Sequence, residues 1–492
     1  MKTSAWKTKS SCIAGFALAL TCLSGPGRAQ EKSDLRLEGS PLTRYIVTDL
    51  GPIGPPPAQP FALSAGGFVS GEVVLAGGTG SVSHAVIWKG RSMTDISSPG
   101  MGGPNSAAFG VNVWGQAVGQ ADTSTPDPKG EDFCGSSALG LTHSGNMCVP
   151  FLFQEAAMSA LPLLSDSAGA SGNNGQAWQI NRFGVAAGSS ENTTADSTCP
   201  GPPSSAQVYE FKPVVWFRLF PWSQPVVQAL PTVADDPDGV AFAVNEKGEA
   251  AGGTGSCGPF NTITLTNLVP LHALLWQHGK PIDLGNLGGD GHFGGIYATG
   301  LNDVRQVVGV SDTNGDASFH GFLWQDGHMS DLQPLAGDSY SYATAISDKG
   351  LVLGLSLDAN FNLRAALWEN GKPTDLNTLV PADTTLDLQT ACSINKEGQI
   401  TGIALAKGTA SDYHAYLATP ILGNVDSDSA TTGVEGTSKE NAKTLQQRRF
   451  GRLASQRSRT ERPFARSESS KLDWLASRGT GPYLSAPRSE TN

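Results

Sequence analysis

The sequence has few charged residues and no long apolar run beyond its N-terminus. Only 16% of its 492 residues are Asp, Glu, Lys or Arg, whereas 60 are Gly and 10 are Trp. No interior stretch approaches the roughly 20 apolar residues that a membrane-spanning helix needs. Chains that are rich in Gly, contain aromatic residues and are poor in Lys and Glu favour many short strands over long helices. The composition therefore predicts an all-β protein without a transmembrane span.

The motifs of several common enzyme classes are also missing. No GxSxG stands in a strand–turn–helix setting, and neither a Walker loop nor a dinucleotide-binding glycine pattern occurs. No CxxC or HxxxH spacing marks a metal site. Residues 30–420 contain 17 Lys and Arg against 36 Asp and Glu, and this acidic balance predicts no nucleic-acid partner.

The first 29 residues predict an export signal. A basic start with Lys2, Lys7 and Lys9 precedes a short apolar segment at 12–25. Small residues, Gly27 and Ala29, then stand just before the expected cleavage at Gln30. The apolar segment is too short for a membrane anchor, so we expect an extracellular or periplasmic protein in which residues 30–44 form a linker.

Beyond the linker the chain repeats one two-part pattern seven times. The first part resembles "ATGLNDVRQVVG" (298–309) and the second "HGFLWQDGHMSDL" (320–332). Alternating small and apolar residues, separated by Asn- or Asp-containing turns with Gly, predict four short strands per unit. We place the glycines that end the second strands at positions 77, 119, 188, 252, 309, 354 and 402.

The repeat spacing indicates a closed ring. Steps of 42 to 69 residues with four strands per unit are typical of propeller blades enlarged by insertions. The seventh unit ends at "HAYLATP" (414–420) without a fourth strand, and "YIVTDLG" (45–51) offers a spare one. An open solenoid would leave that segment unexplained. We therefore predict a seven-bladed β-propeller over 45–420, closed by an N-terminal strand.

The remaining residues, 421–492, are rich in Ser, Thr and Arg and predict a disordered C-terminal tail. Seven Arg fall within 448–466, and this cluster would suit contact with an anionic surface or simple exposure to solvent.

The repeats resemble those of the extracellular HAF-repeat proteins of bacteria, named for the triplet His-Ala-Phe. The triplet stands here as His84-Ala85-Val86, His272-Ala273-Leu274, His320-Gly321-Phe322 and His414-Ala415-Tyr416. The resemblance covers 45–420 and is strongest from Val240 onward, whereas the second and third units carry Pro in place of His. It implies secretion and a repeat architecture, and it carries no catalytic residue that could be transferred.

The repeated histidines are best interpreted as part of the scaffold. His84, His272, His320 and His414 share one repeat position, which Arg364, Pro150 and Pro213 fill in the other units. A catalytic or metal site needs residues that converge, whereas a ring places equivalent positions far apart. By the same argument we interpret Trp276, Trp324 and Trp368 as packing residues, and Asp283, Asp331 and Asp375 as acceptors of backbone hydrogen bonds at a turn.

Long insertions lie between the second and third strands of units two, three and four, at 121–149, 189–212 and 253–270. Equivalent connections of a ring emerge on one face, so these loops predict a raised patch suited to binding. They contain Cys134, Cys148, Cys199 and Cys257. Of the three possible pairings, Cys134–Cys148 and Cys199–Cys257 is the one we favour, and Cys392 is expected to be buried and free.

One polar stretch, "SDTNGDAS" (311–318), has oxygen-bearing side chains at alternate positions in Asp312, Asn314 and Asp316. This spacing faintly resembles a calcium loop, but the glutamate at its twelfth position is missing. An ordinary polar turn is the competing interpretation, and no other cofactor is expected.

Three functions follow from this architecture. The first is a binding module whose insertion loops recognise a glycan, peptide or protein. The second is a secreted hydrolase or lyase with its site in the central channel, for which Asp303 and Asp348 are weak candidates. Converging Glu, His or Arg in the channel would favour the enzyme, and an apolar channel would disfavour it. The third is a structural component of the cell surface or matrix that associates through its basic tail.

Overall fold

The computed structural model describes residues 44–421, except for 56–57, 77–80, 98–99, 132, 135–140, 142–143, 200–206, 221, 262–265 and 292. The predicted signal, residues 30–43 of the linker and the tail beyond 421 lie outside the described residues. The fold is an all-β, seven-bladed β-propeller, as predicted. Among the described residues, no helix is long and apolar enough to cross a membrane.

Each blade is an antiparallel sheet whose strands follow one another from the axis outward. Blade 1 comprises β2 Gln59–Leu63, β3 Phe68–Ala76, β4 Ser81–Lys89 and β5 Ser92–Asp95. Blade 2 comprises β6 Gly102–Val111, β7 Ala117–Pro126, β8 Asn146–Gln154 and β9 Ala157–Ala160. Blade 3 comprises β10 Gly175–Ile180, β11 Ala186–Ala195, β12 Tyr209–Phe217 and β13 Val226–Ala229. Blade 4 comprises β14 Asp238–Val244, β15 Ala250–Asn261, β16 Thr266–Gln277 and β17 Lys280–Asp283. Blade 5 comprises β18 Tyr297–Leu301, β19 Val307–Asp312, β20 Phe319–Gln325 and β21 His328–Leu332. Blade 6 comprises β22 Tyr340–Ile346, β23 Val352–Leu357, β24 Leu363–Glu369 and β25 Lys372–Asp375. A 3₁₀ turn, Leu376–Leu379, leads to blade 7, where the first strand is split into β26 Leu386–Leu388 and β27 Ser393–Ile394, before β28 Ile400–Ala406 and β29 Tyr413–Pro420.

The N-terminal strand closes the ring. Strand β1, Tyr45–Pro52, pairs antiparallel with β29 as the fourth strand of blade 7, with Tyr45 opposite Pro420. On the inner side of the same seam, the Asn395 side chain of blade 7 donates to the Ser64 carbonyl of blade 1 at 3.1 Å. This closure is the one that the sequence predicted, and it leaves the outer edge of β29 covered.

The repeated glycines exist because each second strand passes very close to a β-bulge in the first. A Cβ on Gly119 or Gly354 would lie 1.9 Å from the carbonyl oxygen of Ala107 or Tyr342. In blades 1 to 6 the register of the first strand shifts at this level, which is the mark of a bulge. No residue other than glycine fits without displacing backbone.

The same register corrects two sequence assignments. Gly71, not Gly77, is the equivalent glycine of blade 1, because it pairs with Pro60 and Val86 as Gly119 pairs with Ala108 and Phe151. Gly77 itself lies outside the described residues. In blades 2 and 3 the histidine position is occupied by Val149 and Lys212, since Pro150 and Pro213 pair one residue further along, opposite Gln120 and Ser189.

A belt of asparagine side chains ties neighbouring blades together near the axis. Each belongs to the turn after a first strand and donates through Nδ2 to the backbone of the next blade: Asn112 to Asn181, Asn181 to Asn245, Asn245 to Asn302, and Asn302 to Ser347, at 2.9–3.2 Å. The Oδ1 of Asn245 meanwhile accepts the N–H groups of Lys247 and Glu249 within its own turn. The turn residues therefore fix the spacing of the blades.

The hydrophobic core lies between adjacent blades. One cluster joins Leu353 and Leu367 of blade 6 to Ile400 and Tyr416 of blade 7 and to Tyr45 of β1. The tryptophans of the third strands are buried there as predicted, and the Trp276 indole donates to the Pro231 carbonyl in the connection from the preceding blade at 2.7 Å. Burial of these large side chains is the main source of stability.

Because the strands alternate in direction, the ring has two distinct faces. We call the side where second strands connect to third strands, and fourth strands to the next blade, the loop face. The opposite side, with the turns between first and second and between third and fourth strands, is the turn face. The insertions of blades 2 to 4 all emerge on the loop face.

Candidate functional site: a loop platform over blades 2 to 4

Three enlarged connections stand side by side on the loop face. Blade 2 contributes residues 127–145 and blade 3 residues 196–208, while blade 4 extends β15 and β16 to twelve residues each. The corresponding strands of blade 6 have six and seven residues. We call these three connections together the loop platform.

Two disulfides hold the platform. Cys134 is bonded to Cys148 within the blade 2 connection, and Cys199 is bonded to Cys257, which joins the connections of blades 3 and 4. These are the two pairs that the sequence favoured. Beside the second bond, the Cys257 N–H donates to the Thr198 hydroxyl at 3.0 Å.

A buried polar group joins blades 2 and 3 at the base of the platform. The Asn174 side chain is fully buried and donates to Asp127 at 3.0 Å and to Glu191 at 3.2 Å. Its Oδ1 accepts the Cys148 N–H at 2.9 Å, next to the first disulfide. Glu131 accepts the N–H of Val208 at 2.6 Å, so the blade 2 connection is bonded directly to that of blade 3.

Glu131 and Glu191 lie against each other in this interior. Burial raises the pKa of Glu131, and burial together with the neighbouring Glu131 carboxylate raises the pKa of Glu191. Two carboxyl groups that share a hydrogen bond away from water cannot both ionise cheaply. The pair therefore retains a proton at a pH where exposed glutamates have lost theirs.

A second acidic pair repeats this arrangement between blades 3 and 4. The Gln207 amide donates to Asp196 at 3.1 Å and to Asp238 at 2.9 Å, and all three side chains are buried. Asp238 also accepts the Phe211 N–H at 2.8 Å. Burial, followed by the charge of Asp196, raises the pKa of Asp238.

The platform also has a small hydrophobic core of its own. Phe133 and Phe211 meet edge to face at 5.0 Å between ring centres, and they pack against the buried Cys134–Cys148 bond. Covalent bonds, polar contacts and packing thus fix the described parts of the three connections as one surface. Such a surface loses little entropy when it binds a ligand.

Charge is divided unequally between the two faces. Between residues 44 and 421 the chain has 15 Lys and Arg and 33 Asp and Glu. Eleven of the basic residues lie in or beside the turns of the turn face: Arg44, Lys89, Arg91, Arg182, Arg218, Lys247, Lys280, Arg305, Lys349, Lys372 and Lys396. Eight of the acidic residues lie there as well: Glu155, Glu246, Glu249, Asp303, Asp326, Asp348, Glu369 and Glu397. The rest of the ring, including the loop face, holds 4 basic and 25 acidic residues, a formal charge of −21 that the buried carboxyl groups retaining a proton make smaller. The loop face therefore lies in a strongly negative field.

The central channel is lined by apolar and small polar side chains at the bulged positions of the first strands. These are Phe61, Phe109, Trp178, Phe242, Thr299, Thr344 and, in the split first strand of blade 7, Cys392. Phe109 stacks on Trp178 at 4.3 Å, and Phe61 of blade 1 reaches Trp178 of blade 3 at 6.4 Å, which shows that these rings converge on the axis. The described first strands bring no Glu, His or Arg together at these positions.

Cys392 is free, as predicted, but it is only half-buried, because it faces this channel. Burial by the surrounding side chains raises the pKa of its thiol to about 11. At neutral pH the group is therefore a thiol and a weak nucleophile.

No family model matches the chain, and no curated protein matches it. The chain is similar in structure to the β-propeller domain of the Trilobed protease from Pyrococcus furiosus, at 7% identity and a TM-score of 0.41, over 78% of this chain and 100% of that one. It is also similar to XC5397, a gluconolactonase from Xanthomonas campestris (8% identity, TM-score 0.34, 77% and 90% covered), and to a lectin of Aleuria aurantia (10%, 0.28, 73% and 91%). Likenesses at this level transfer no function.

The predicted scaffold histidines occupy equivalent places, and each is paired with an acid. His84 lies 2.8 Å from Asp95, and His320 lies 2.9 Å from Asp331. His414 is paired in the same way with Asp49 of β1 at 2.8 Å. The sequence predicted that Asp331 accepts backbone hydrogen bonds, whereas its bonds within the described residues go to the side chains of His320 and Gln333. The pairing of His with Asp, which spans eleven residues within one blade, was missed.

Blades 4 and 6 vary the pattern. His272 pairs with Asp236 from the connection before the blade at 2.8 Å, and Asp283 is left to accept the Gly285 N–H as predicted. In blade 6, Arg364 replaces the histidine and bonds Asp338. All these pairs are spread around the ring, so they stabilise blades and do not form one site.

Residues of the predicted calcium loop do approach a third acid. Oxygen atoms of Asp290, Asp312 and Asp316 lie within 4.8 Å of one another, and Asn314 stands beside Gly288. Asp312 accepts the N–H groups of Phe293 and Gly294 at 2.7 and 2.6 Å, and Asp316 accepts that of Asp290 at 2.8 Å. These bonds join the turn to the loop before β18, and calcium binding stays a prediction.

The channel candidates Asp303 and Asp348 have a structural role. Asp303 accepts the Glu246 N–H at 2.8 Å, and Asp348 accepts the Asp303 N–H at 3.0 Å, each from the preceding blade. They hold successive turns of the turn face together.

Sequence reasoning missed the acids that support the loop face. Asp122, Glu191 and Asp312 each stand three residues after the repeated glycine, in "GQAD", "GSSE" and "GVSD". Each accepts backbone N–H groups at or before the first strand of its own blade, as Glu191 does from Asn173 and Asn174. Their shared position in the repeat, three residues after the glycine, is the signal from which these acids could have been predicted.

Proposed function

We propose that the protein is an extracellular or periplasmic binding module whose ligand, a glycan, peptide or protein, is recognised by the loop platform over blades 2 to 4. The observation that carries this proposal is the fusion of three insertions, contributed by three blades, into one surface by two disulfides and a continuous buried polar network. A ring needs none of these insertions to close, since blades 5 and 6 lack them.

The charge of the loop face narrows the class of ligand. With 25 acidic and only 4 basic residues outside the turn face, positively charged segments are attracted and polyanions are repelled. Among the three classes, basic peptides or proteins therefore fit best. The two disulfides suit an oxidising compartment, which agrees with the predicted export signal.

The proposal is tested by binding of the full mature chain to peptide and glycan arrays, followed by titration of the best probe. Thr125→Arg and Thr194→Arg introduce a bulky cation at exposed positions near the ends of β7 and β11, directly beside the platform connections of blades 2 and 3. We expect each to weaken binding by about tenfold or more, since one buried contact patch and its charge complementarity are lost.

Asn360→Arg is the matched control. It places the same cation at an exposed position in the corresponding connection of blade 6, away from the platform. Binding should be unchanged in this variant. An equal loss of binding affinity in all three variants would show that the added charge acts through the overall electrostatic field of the ring. Unchanged affinity in the two platform variants would show that the ligand binds elsewhere.

A further inference from the structure

The turn face carries an exposed aromatic projection on blade 3. The connection between β12 and β13 has eight residues, 218–225, whereas blades 2, 4, 5 and 6 close the same turn with two. Three of its large apolar side chains are exposed: Leu219 by 49%, Phe220 by 56% and Trp222 by 81%. We call Leu219, Phe220 and Trp222 the aromatic tip.

The exposure of the tip is maintained by local structure. The rings of Phe220 and Trp222 stack at 5.5 Å with 8° between their planes. The Ser223 N–H donates to the Phe220 carbonyl at 3.0 Å, and the Arg218 guanidinium donates to the Ser223 carbonyl at 2.8 Å. The loop thus holds its apolar side chains outward although burying them would be favourable.

A second exposed tryptophan lies on the same face. Trp114, in the first turn of blade 2, is 72% exposed, and its indole donates to the Arg182 carbonyl of blade 3 at 3.0 Å. Single exposed apolar residues need no explanation, but four large ones on two adjacent blades of one face mark an interaction surface.

The charge on this face selects the partner. The turn face has 11 basic and 8 acidic residues, whereas the rest of the ring is strongly acidic. Tryptophan and phenylalanine at the tip of a rigid loop, beside cations, match the interface of a bilayer with anionic headgroups. The tip exposes three large apolar side chains on one short loop, so it suits insertion into a deformable surface better than a rigid partner.

The chain's own tail, residues 421–492, is a less suitable partner for the aromatic tip than a membrane. Both ends of the ring lie at the turn face, where the Ile421 N–H donates to the Arg44 carbonyl at 2.7 Å. Residues 421–492 have 12 Lys and Arg against 8 Asp and Glu, so the tail and the turn face carry charge of the same sign. Both would be attracted to one anionic surface and not to each other.

We infer that the protein docks on anionic phospholipid membranes through its turn face, with Leu219, Phe220 and Trp222 inserted into the interface. This inference is independent of the ligand proposed for the loop platform, because the two sites occupy opposite faces. Bound in this way, the ring would present the platform away from the membrane.

The test is cosedimentation of the mature chain with phosphatidylcholine vesicles, with and without phosphatidylglycerol. We expect binding only to the anionic vesicles, and weaker binding as salt increases. Replacing all three tip residues by Ser should lower the partition coefficient by about a hundredfold, since three large apolar side chains lose their burial. Leu75→Ser, which removes a 44% exposed side chain near the opposite face, is the control and should bind as wild type does.

A second readout separates insertion of the tip from adhesion of the basic tail. Vesicles with brominated acyl chains should quench the fluorescence of wild type, and Trp222→Phe should keep its binding while losing part of this quenching. The inference is overturned if the triple variant sediments as wild type does, because the tail then accounts for binding. It is equally overturned if wild type ignores anionic vesicles, or if the tip instead mediates self-association on sizing.

Discussion

The Cys199–Cys257 bond offers the sharpest test of how the loop platform is stabilised. It closes a segment with a sequence separation of 58, which includes the outer strands of blade 3 and the first strand of blade 4. The Cys134–Cys148 bond closes a segment with a separation of only 14. A crosslink stabilises mainly by restricting the unfolded chain, and more so for longer segments.

The chain-entropy relation gives about 4 kcal/mol for the longer segment and about 3 kcal/mol for the shorter one. We therefore expect Cys199→Ser with Cys257→Ser to lower the free energy of unfolding by about 1 kcal/mol more than Cys134→Ser with Cys148→Ser. Urea unfolding of the oxidised full chain, followed by tryptophan fluorescence, measures both.

Cys392→Ser serves as the control, because this thiol is free and its replacement should leave the sensitivity to reductant unchanged. The reasoning would be refuted if the two double variants were equally destabilised. It would also be refuted if loss of the longer crosslink cost less than that of the shorter one, since native contacts across the platform would then dominate.

Three further predictions concern the ring itself. Glu72 is 4% exposed, none of the described residues gives its carboxyl group a hydrogen bond, and burial raises its pKa to about 8. Because the folded state keeps this proton, Glu72 alone should lower wild-type stability by up to about 5 kcal/mol as pH rises from about 4.5 to 8, and Glu72→Gln should remove this share of the pH dependence in urea unfolding at several pH values. Gly119→Ala should lower the free energy of unfolding by about 3 kcal/mol in the same assay, because the alanine Cβ would lie 1.9 Å from the Ala107 carbonyl oxygen. A loss below about 1 kcal/mol would contradict this close approach of the two strands. Asn245→Ala should lower the free energy of unfolding by about 2 kcal/mol. Asn245→Ser should recover only the part that comes from bonds within the turn, as Ser347 makes in blade 6, and should still lose the bond to Asn302; full recovery by Ser would argue against the belt.

The propeller architecture was predictable because equivalent residues recur in each unit and show which strands correspond to one another. Asp49 precedes Leu50 as Asp331 precedes Leu332, and in the structure Asp49 bonds His414 as Asp331 bonds His320. A spare N-terminal strand with the sequence of a fourth strand was therefore sufficient to predict closure. The number of blades followed from counting the repeats.

Register within the divergent units was harder to predict. Pro150 and Pro213 stand next to the true histidine positions, and both interrupt the local pattern from which the alignment was made. Gly71 and Gly77 are locally similar, and what distinguishes them is the carbonyl of Gln59, 2.5 Å from a Cβ on Gly71. That distance depends on strand pairing and not on local sequence.

The acidic pairs of the platform were beyond sequence reasoning for a different reason. Glu131 belongs to the connection of blade 2 and Glu191 to strand β11 of blade 3, and their contact depends on how that connection packs against the neighbouring blade. The aromatic tip did have a signal, since "LFPW" replaces the two polar or small residues expected in a hairpin turn.

The hydrogen bond between Asp49 and His414 spans 365 residues, so the first strand to be synthesised finds its partner only when the ring is nearly complete. Until then β1 has no partner strand, and the nascent chain carries its unpaired edges for most of its synthesis. Joining residue 44 to residue 421 and opening the chain within 333–339, between blades 5 and 6, would give a circular permutant in which every blade is formed by one continuous segment and this delay disappears. Such a permutant should refold faster than the natural chain order and aggregate less on the way.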